Sequence, residues 1–207
     1  MTRPRSSLLV LFALALLAPV AWALPTAAQI KLAFDALDTT RNGAINEEEW
    51  DRASFALFRA ADKNNNNFID AAELADSTIA QDTFLRADTD HDGRLSVGEF
   101  MELRRAIFRI ADIDHDDSLN FVEFELLIVM EQVGWTDRNQ NGRIEQSELR
   151  ESLTKAFEQL DENHDRQLSP TELGYLPPGR FASYDTNRDG TLSAEEFVAG
   201  YRTALGA

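Results

Sequence analysis

Twelve residues in the first half of the chain read Asp88-Thr89-Asp90-His91-Asp92-Gly93-Arg94-Leu95-Ser96-Val97-Gly98-Glu99. Carboxylates occupy positions 1, 3, 5 and 12 of this segment, and Gly93 at position 6 permits a sharp turn. Ser96 at position 9 and the main-chain carbonyl of Arg94 at position 7 offer two further oxygens. A hard cation such as Ca²⁺ takes about six to eight oxygen ligands, so this spacing predicts a calcium-binding loop.

The same pattern occurs seven times, with starts 24 to 26 residues apart. Each segment begins with Asp, ends with Glu and has an aliphatic residue at position 8. The seven predicted loops, numbered 1 to 7 in chain order, are residues 38–49, 62–73, 88–99, 112–123, 137–148, 161–172 and 185–196. Seven matches in phase indicate a repeat architecture, which one isolated match would not.

The predicted metal ligands lie at positions 1, 3, 5, 7 and 12 of the loops, position 7 acting through its carbonyl. From loop 1 to loop 7 they are Asp38, Thr40, Asn42, Glu49, Asp62, Asn64, Asn66, Phe68, Glu73, Asp88, Asp90, Asp92, Arg94, Glu99, Asp112, Asp114, Asp116, Ser118, Glu123, Asp137, Asn139, Asn141, Arg143, Glu148, Asp161, Asn163, Asp165, Gln167, Glu172, Asp185, Asn187, Asp189, Thr191 and Glu196. Because affinity follows ligand charge and loop geometry, we expect loop 3 to bind most tightly, then loops 7 and 4, with loops 1 and 6 last.

Only 12 to 14 residues separate consecutive loops. A helix over 47–61 and another within 94–110 are predicted to leave one loop and enter the next, and a first helix is predicted over 25–37. The second of these helices is predicted to have Phe100, Leu103, Ile107 and Ile110 on one face. Apolar residues also recur four positions before each loop and directly after it, which is typical of a helical core.

Glycine at position 6 occurs only in loops 1, 3, 5 and 7. If every link is one helix, odd loops lie at one end of the molecule and even loops at the other. We therefore expect each loop to pair with the next but one; pairing of neighbours across kinked links is the alternative. Gly134 weakens the helix before loop 5, and residues 173–179, with two prolines, cannot form a continuous helix. A last helix is predicted over 194–204.

Residues 1–23 are typical of a secretory signal peptide. Arg3 and Arg5 precede a short apolar run, and Ala21-Trp22-Ala23 is typical of a cleavage site. We expect an exported protein, periplasmic or secreted; an uncleaved membrane anchor is the alternative. No later apolar run is long enough to cross a membrane, so we expect no membrane contact after cleavage. With no Cys, the chain forms no disulfide.

Cleavage would remove two Arg and no acid, changing the net charge from −16 to −18. Positions 1, 3, 5, 9 and 12 of the seven loops hold 22 carboxylates, and seven Ca²⁺ ions would carry +14. The net negative charge of the chain is thus explained by the binding of cations. It also argues against a nucleic-acid partner, because binding of nucleic acid needs a basic surface. Without cations the clustered carboxylates repel one another, so we expect a partly disordered metal-free state.

Three alternative interpretations of the sequence are weighed against metal binding. Ser96, Ser169 and Ser193 each stand three residues before a Glu and also fit helix capping boxes. His91, His115 and His164 at position 4 are interpreted as exposed turn residues rather than zinc ligands. No phosphate loop, nucleophile elbow or His-Glu-x-x-His motif occurs, so we expect no enzymatic activity.

The seven loops resemble the EF-hand family over nearly all of residues 24–207. The resemblance implies helix-loop-helix units whose loop backbones meet at position 8. The leader makes the chain similar to secreted or periplasmic bacterial EF-hand proteins such as the calsymins, and the short spacing resembles lanmodulin. Pro at position 2 and Asp at position 9, which lanmodulin loops carry, are here largely replaced, for example by Thr89 and Ser96.

The expected fold is all-α: tandem EF-hand helix-loop-helix repeats with short shared helices between seven loops. Residues 24–207 form one repeat domain with a candidate sub-boundary near 134–137. The expected function is exported calcium buffering, storage or response with up to seven Ca²⁺, and Mg²⁺ or a lanthanide at some sites. A calcium-dependent module for an unidentified protein partner and a lanthanide-binding protein stay open as alternatives. Only Met101 and Met130 follow the leader, which disfavours a Met-rich sensor groove.

Overall fold

The structure is a computed structural model that describes residues 24–75, 77 and 81–206. Nine helices and four short strands occur in these residues. The helices are α1 Ala27–Leu37, α2 Glu47–Ala61, α3 Ala71–Ala75, α4 Gln81–Ala87, α5 Val97–Ala111, α6 Phe121–Val133, α7 Gln146–Leu160, α8 Pro178–Tyr184 and α9 Ala194–Ala204. The strands are β1 Ala44–Asn46, β2 Phe68–Ile69, β3 Leu95–Ser96 and β4 Ser118–Asn120. The predicted all-α class is confirmed, whereas the predicted signal peptide lies outside the described residues.

Helices α2, α5 and α7 each run from one predicted loop to the next, as the short spacing predicts. The helix predicted over 47–61 has those bounds, whereas α1 begins two residues later than predicted, at Ala27, with Thr26 as its N-cap. The other links are broken. Helices α3 and α4 divide the link from loop 2 to loop 3. Helix α6 ends at Val133, before Gly134 with φ of 84°, and α8 starts only at Pro178.

The capping-box interpretation holds together with the loop interpretation. Ser96 and Ser193 accept hydrogen bonds from the main-chain N–H of the Glu at position 12, and the Glu carboxylate bonds back to the main chain of the serine. The same carboxylate that ends a predicted loop therefore also begins the following helix. This double role fixes the first turn of the helix against the loop.

The apolar rows predicted to flank the loops form the core. Every residue four positions before a loop is buried, and all those directly after a loop are buried except the partly buried Leu74. The apolar residues predicted on one face of α5 lie in the core or pack against it, with Leu103 and Ile110 only partly buried, and the buried residues of this helix also include Arg104. The Arg104 guanidinium lies 4.3 Å from the centre of the Trp50 ring, so its charge is held against an aromatic face inside the core.

Helix α6 is the central helix of the molecule. It packs against α1, α5 and α7, and its run from Phe124 to Met130 is buried on every side. A helix that is apolar all round belongs in the interior. In the described residues no helix is long and apolar enough to span a membrane.

The predicted pairing of each loop with the next but one is wrong. Ile45 of loop 1 faces Leu119 of loop 4, and Ile69 of loop 2 faces Leu95 of loop 3. An isolated antiparallel bridge joins Leu168 of loop 6 to loop 7. An aromatic contact supports the pairing of loops 1 and 4: the ring of Phe34, before loop 1, lies 5.7 Å from the ring of Phe124, after loop 4, in an edge-to-face arrangement. Loop 5 has no strand partner among the described residues.

The broken link between loops 2 and 3 explains the error. It divides into α3 and α4, so loops 2 and 3 come together at one end of the antiparallel pair α2 and α5. Loops 1 and 4 then meet at the other end, where Trp50 Nε1 donates a hydrogen bond of 2.8 Å to the Arg104 carbonyl between the two helices. This link has the longest spacing of the series, 26 residues between loop starts.

Candidate metal centres

All seven predicted loops hold the first aspartate in the same way. The main-chain N–H of position 6 donates to Oδ2 of position 1 at 2.9 to 3.2 Å. The seven donors are Gly43, Asn67, Gly93, Asp117, Gly142, Arg166 and Gly190. This bond closes each loop around its first carboxylate. The site geometry therefore repeats, although position 6 itself varies.

Two further hydrogen bonds recur in each loop. The side-chain oxygen at position 5 accepts from the N–H of position 7, as between Asp92 and Arg94 at 2.8 Å. One oxygen of the Glu at position 12 accepts from the N–H of position 9, as between Glu99 and Ser96 at 3.0 Å. These bonds hold the side chains at positions 5 and 12 of each loop against the main chain of the same loop.

The backbone has positive φ at positions 4 and 6 of every predicted loop. Position 6 was expected to need this conformation, but position 4 was not, and there it is adopted by Arg, Asn, His and Gln. The three position-4 histidines, with φ of 58° to 60°, are exposed, as their interpretation as turn residues predicts. Asn and His tolerate this region better than branched residues, which is the signal that could have identified position 4.

Arg166 at position 6 of loop 6 has φ of 66°, a costly conformation for an arginine. Replacing it with Gly is expected to raise the free energy of unfolding by up to about 1 kcal/mol and to tighten metal binding at loop 6. Chemical denaturation measures the first effect. Asn67→Gly, at φ of 67° in loop 2, is the control and should change little, because Asn tolerates this region. A loss of stability in Arg166→Gly would contradict the strain argument.

The donor sets fit a hard cation. In loop 3, carboxylate oxygens of Asp88, Asp90 and Glu99 lie within 4.8 Å of one another, and Asp112, Asp114 and Asp116 form a second such group in loop 4. Among the described residues, three buried carboxylate oxygens at ligand positions 1 or 12 have no hydrogen-bond partner. They are Asp88 Oδ1, Asp137 Oδ1 and Glu172 Oε1. Unpaired buried carboxylate oxygens are costly unless a cation neutralises them.

The position-12 carboxylates differ in acidity between loops. Burial opposes ionisation of Glu99, but hydrogen bonds from Ser96 and Thr89 outweigh it and lower its pKa to about 2. Glu196 in loop 7 is held by the same types of bond, and its pKa is also lowered to about 2. Deeper burial instead raises the pKa of Glu123 in loop 4 to about 7.

Calcium binding at loop 4 is therefore expected to depend on pH, whereas binding at loop 3 is not. Below pH 7 a cation at loop 4 must displace the proton of Glu123, so the affinity should fall by about tenfold per pH unit. Glu99 is already ionised throughout this range. Titrations at pH 8, 7 and 6, read from the amide resonances of Asp117 and Gly93, separate the two loops. Equal pH dependence at both loops would contradict this expectation.

Comparison with known proteins agrees with this geometry. The family model described as an EF-hand domain pair matches residues 27–103, which include loops 1 to 3, and the model described as EF hand matches residues 180–200, which include loop 7. Loops 4, 5 and 6 lie outside the matched ranges.

Curated relatives include calcium-dependent protein kinase 7 of Arabidopsis thaliana, 29% identical over 174 residues that cover 84% of this chain and 25% of the kinase. Calcium-dependent protein kinase 20 of Oryza sativa subsp. japonica is 30% identical over 156 residues, covering 69% of this chain and 23% of the kinase. The chain spans about a quarter of the length of these relatives. The matched loops and their shared geometry lead to one conclusion: the chain contains EF-hand calcium-binding domains in residues 27–103 and 180–200.

Proposed function

We propose that this protein is an exported calcium buffer or storage protein that binds Ca²⁺ at all seven loops. The observation that carries the proposal is the closing bond from position 6 to the aspartate at position 1, which is the same in loops 4 to 6 as in the loops that the family models match. A cation supplies the positive charge that the converging carboxylates need. The position-1, -3, -5 and -12 side chains would hold it, with the position-7 carbonyl.

The acidic composition of the chain supports buffering or storage of Ca²⁺ rather than signalling. Seven divalent ions would neutralise most of the charge of the chain, and each loop has its own complete set of ligands. Isothermal titration calorimetry of the purified protein with Ca²⁺, Mg²⁺ and La³⁺ tests the proposal. Heat from several Ca²⁺ sites at micromolar to millimolar concentration supports it. No Ca²⁺ binding at millimolar metal would refute it, and a response to La³⁺ with nearly inert Ca²⁺ would instead favour a lanthanide-binding protein.

A second candidate function is a calcium-dependent protein-interaction module. An open groove of about 590 Å³ lies between α8 and α9, with Ala199, Gly200 and Ala204 in its lining. Leu32, Phe55 and Leu85 are also large apolar side chains that lie exposed. A hydrophobic dye distinguishes the two functions: fluorescence that rises when Ca²⁺ is added favours the module, and an unchanged signal favours the buffer.

Export by an N-terminal signal peptide is the remaining part of the proposal. Its support is the basic start, the short apolar run and the Ala21-Trp22-Ala23 site. Expression of the full chain in a bacterial host, followed by fractionation and N-terminal sequencing, tests it. A mature protein that begins at Leu24 outside the cytoplasm agrees with export. An uncut chain in the cytoplasmic fraction contradicts it.

A further inference from the structure

A buried polar cluster lies on the central helix, away from the metal-binding oxygens. Glu125 of α6 is fully buried, and its Oε1 accepts a hydrogen bond of 2.7 Å from Nη1 of Arg180. The same oxygen accepts from the hydroxyl of Tyr201 at 3.2 Å, and that hydroxyl also lies 3.2 Å from the hydroxyl of Tyr175. The neighbours of Glu125 along α6 are buried apolar residues, so a carboxylate at this position needs a specific explanation.

The partners of Glu125 belong to the two helices that flank loop 7. Arg180 lies on α8, which enters loop 7, and Tyr201 lies on α9, which leaves it. Glu125 itself lies two residues after Glu123, the position-12 residue of loop 4. One carboxylate oxygen therefore contacts both helices of loop 7 from the helix that leaves loop 4.

Main-chain pairing does not connect these two loops. Loop 4 pairs with loop 1, and loop 7 pairs with loop 6. The contact to α8 is reinforced at the start of α6, where the guanidinium of Arg180 lies 5.3 Å from the centre of the Phe121 ring. The helices that flank loops 4 and 7 are thus joined by side-chain contacts of α6 with α8 and α9.

The geometry of the ion pair makes it sensitive to helix movement. A buried carboxylate is costly in energy unless its partner stays at close range. Here both hydrogen bonds use Oε1, whereas Oε2 is buried without a partner. A shift of α8 or α9 relative to α6 would leave the charge of Glu125 without compensation.

We propose that Glu125 and Arg180 couple calcium binding at loop 4 to calcium binding at loop 7; this inference rests on the proposed function. A cation at loop 4 holds Glu123 and with it the first turn of α6, which positions Glu125. A cation at loop 7 fixes the angle between α8 and α9, which positions Arg180 and Tyr201. Because the contact is best when both loops are in place, binding at either loop favours binding at the other by the same factor.

The test measures the Ca²⁺ affinity of loop 7 with and without a working loop 4. The amide resonance of Gly190, which donates to Asp185 in loop 7, reports loop 7 in the purified full chain. Glu123→Gln disables loop 4. We expect this change to weaken loop 7 by about fivefold or more, the usual range of coupling between sites. When Glu125→Gln is also present, disabling loop 4 should change the affinity of loop 7 by less than about twofold.

Two controls separate coupling from a general loss of structure. Tyr175→Phe removes a hydroxyl from the same cluster without touching Glu125, so the coupling should persist. Glu172→Gln disables loop 6, whose main-chain bridge to loop 7 does not involve Glu125, so it should weaken loop 7 in both backgrounds. If Glu125→Gln does not fold, Arg180→Gln replaces it, since that side chain is 19% exposed and its loss is easier to accommodate.

Three outcomes decide the proposal. Loss of the effect of loop 4 in the Glu125→Gln background, with both controls as expected, supports the coupling. An undiminished effect in that background, or no effect of loop 4 in the wild-type protein, overturns it while calcium binding itself stands. Absence of any Ca²⁺ response at Gly190 and Asp117 refutes the proposed function and the coupling together.

Discussion

Replacing Glu99 with Gln is expected to lower the Ca²⁺ affinity of loop 3 by a factor on the order of 100. Glu99 is the position-12 residue of loop 3, which has four ligand carboxylates and glycine at position 6, and its oxygens lie within 4.8 Å of those of Asp88 and Asp90. Gln keeps the size and one oxygen but removes the charge and the second anionic ligand. Because loop affinities depend on ligand charge, this single change acts on the strongest predicted site.

The amide resonance of Gly93, which donates to Asp88 Oδ2 at 3.2 Å, measures loop 3 alone during a Ca²⁺ titration. Glu102→Gln is the matched control, because it removes the same charge from the same helix at an exposed position outside the loop. The Ca²⁺ affinity of loop 3 in the Glu102→Gln variant should change by less than about twofold. A Glu99→Gln protein that binds Ca²⁺ at loop 3 as tightly as the wild type would exclude Glu99 as a ligand.

Replacing Trp50 with Ala is expected to lower the free energy of unfolding by about 3 to 5 kcal/mol. Trp50 is fully buried between α2 and α5, and its ring lies 5.8 Å from that of Phe108. The change leaves a large cavity and removes the aromatic face under the guanidinium of Arg104. It also removes the donor to the Arg104 main-chain carbonyl, so Arg104 loses a hydrogen bond to its main chain and the ring contact to its guanidinium.

Denaturant unfolding of the Ca²⁺-saturated protein, followed by circular dichroism, measures this loss. Leu32→Ala is the control: Leu32 is a large apolar residue on α1, but it is 50% exposed, so its loss should cost less than about 0.5 kcal/mol. If Trp50→Ala lowers the free energy of unfolding by less than about 1 kcal/mol, the packing of α2 on α5 around Trp50 does not contribute to stability as expected.

The loops could be predicted from the sequence because their information is local. Asp at position 1, the turn at position 6 and Glu at position 12 fix each loop within twelve residues, and the buried aliphatic residue at position 8 follows from the same phase. The shared helix Glu47–Ala61 could be predicted for the same reason, since it contains no breaker between two loops.

The pairing of loops could not be predicted from local pattern, since it depends on whether each link bends. The two additional residues between loops 2 and 3 were the signal, because this link contains two helices, α3 and α4, whereas the 12-residue links after loops 1, 3 and 5 are each one helix. Arg104 and Glu125 were missed for another reason. Single charged residues on apolar helices are usually exposed, and only the packing of α5 and α6 shows that these two are buried.

The number of Ca²⁺ ions bound per chain tests the central claim most directly. The purified protein is dialysed against Ca²⁺ in the millimolar range, and bound metal is measured by elemental analysis against protein concentration. The account predicts a stoichiometry that approaches seven and falls by one in Glu99→Gln at Ca²⁺ concentrations below its weakened affinity. A stoichiometry of four or fewer, unchanged by further Ca²⁺, would show that loops 4 to 6 share the geometry of the other loops but not their function.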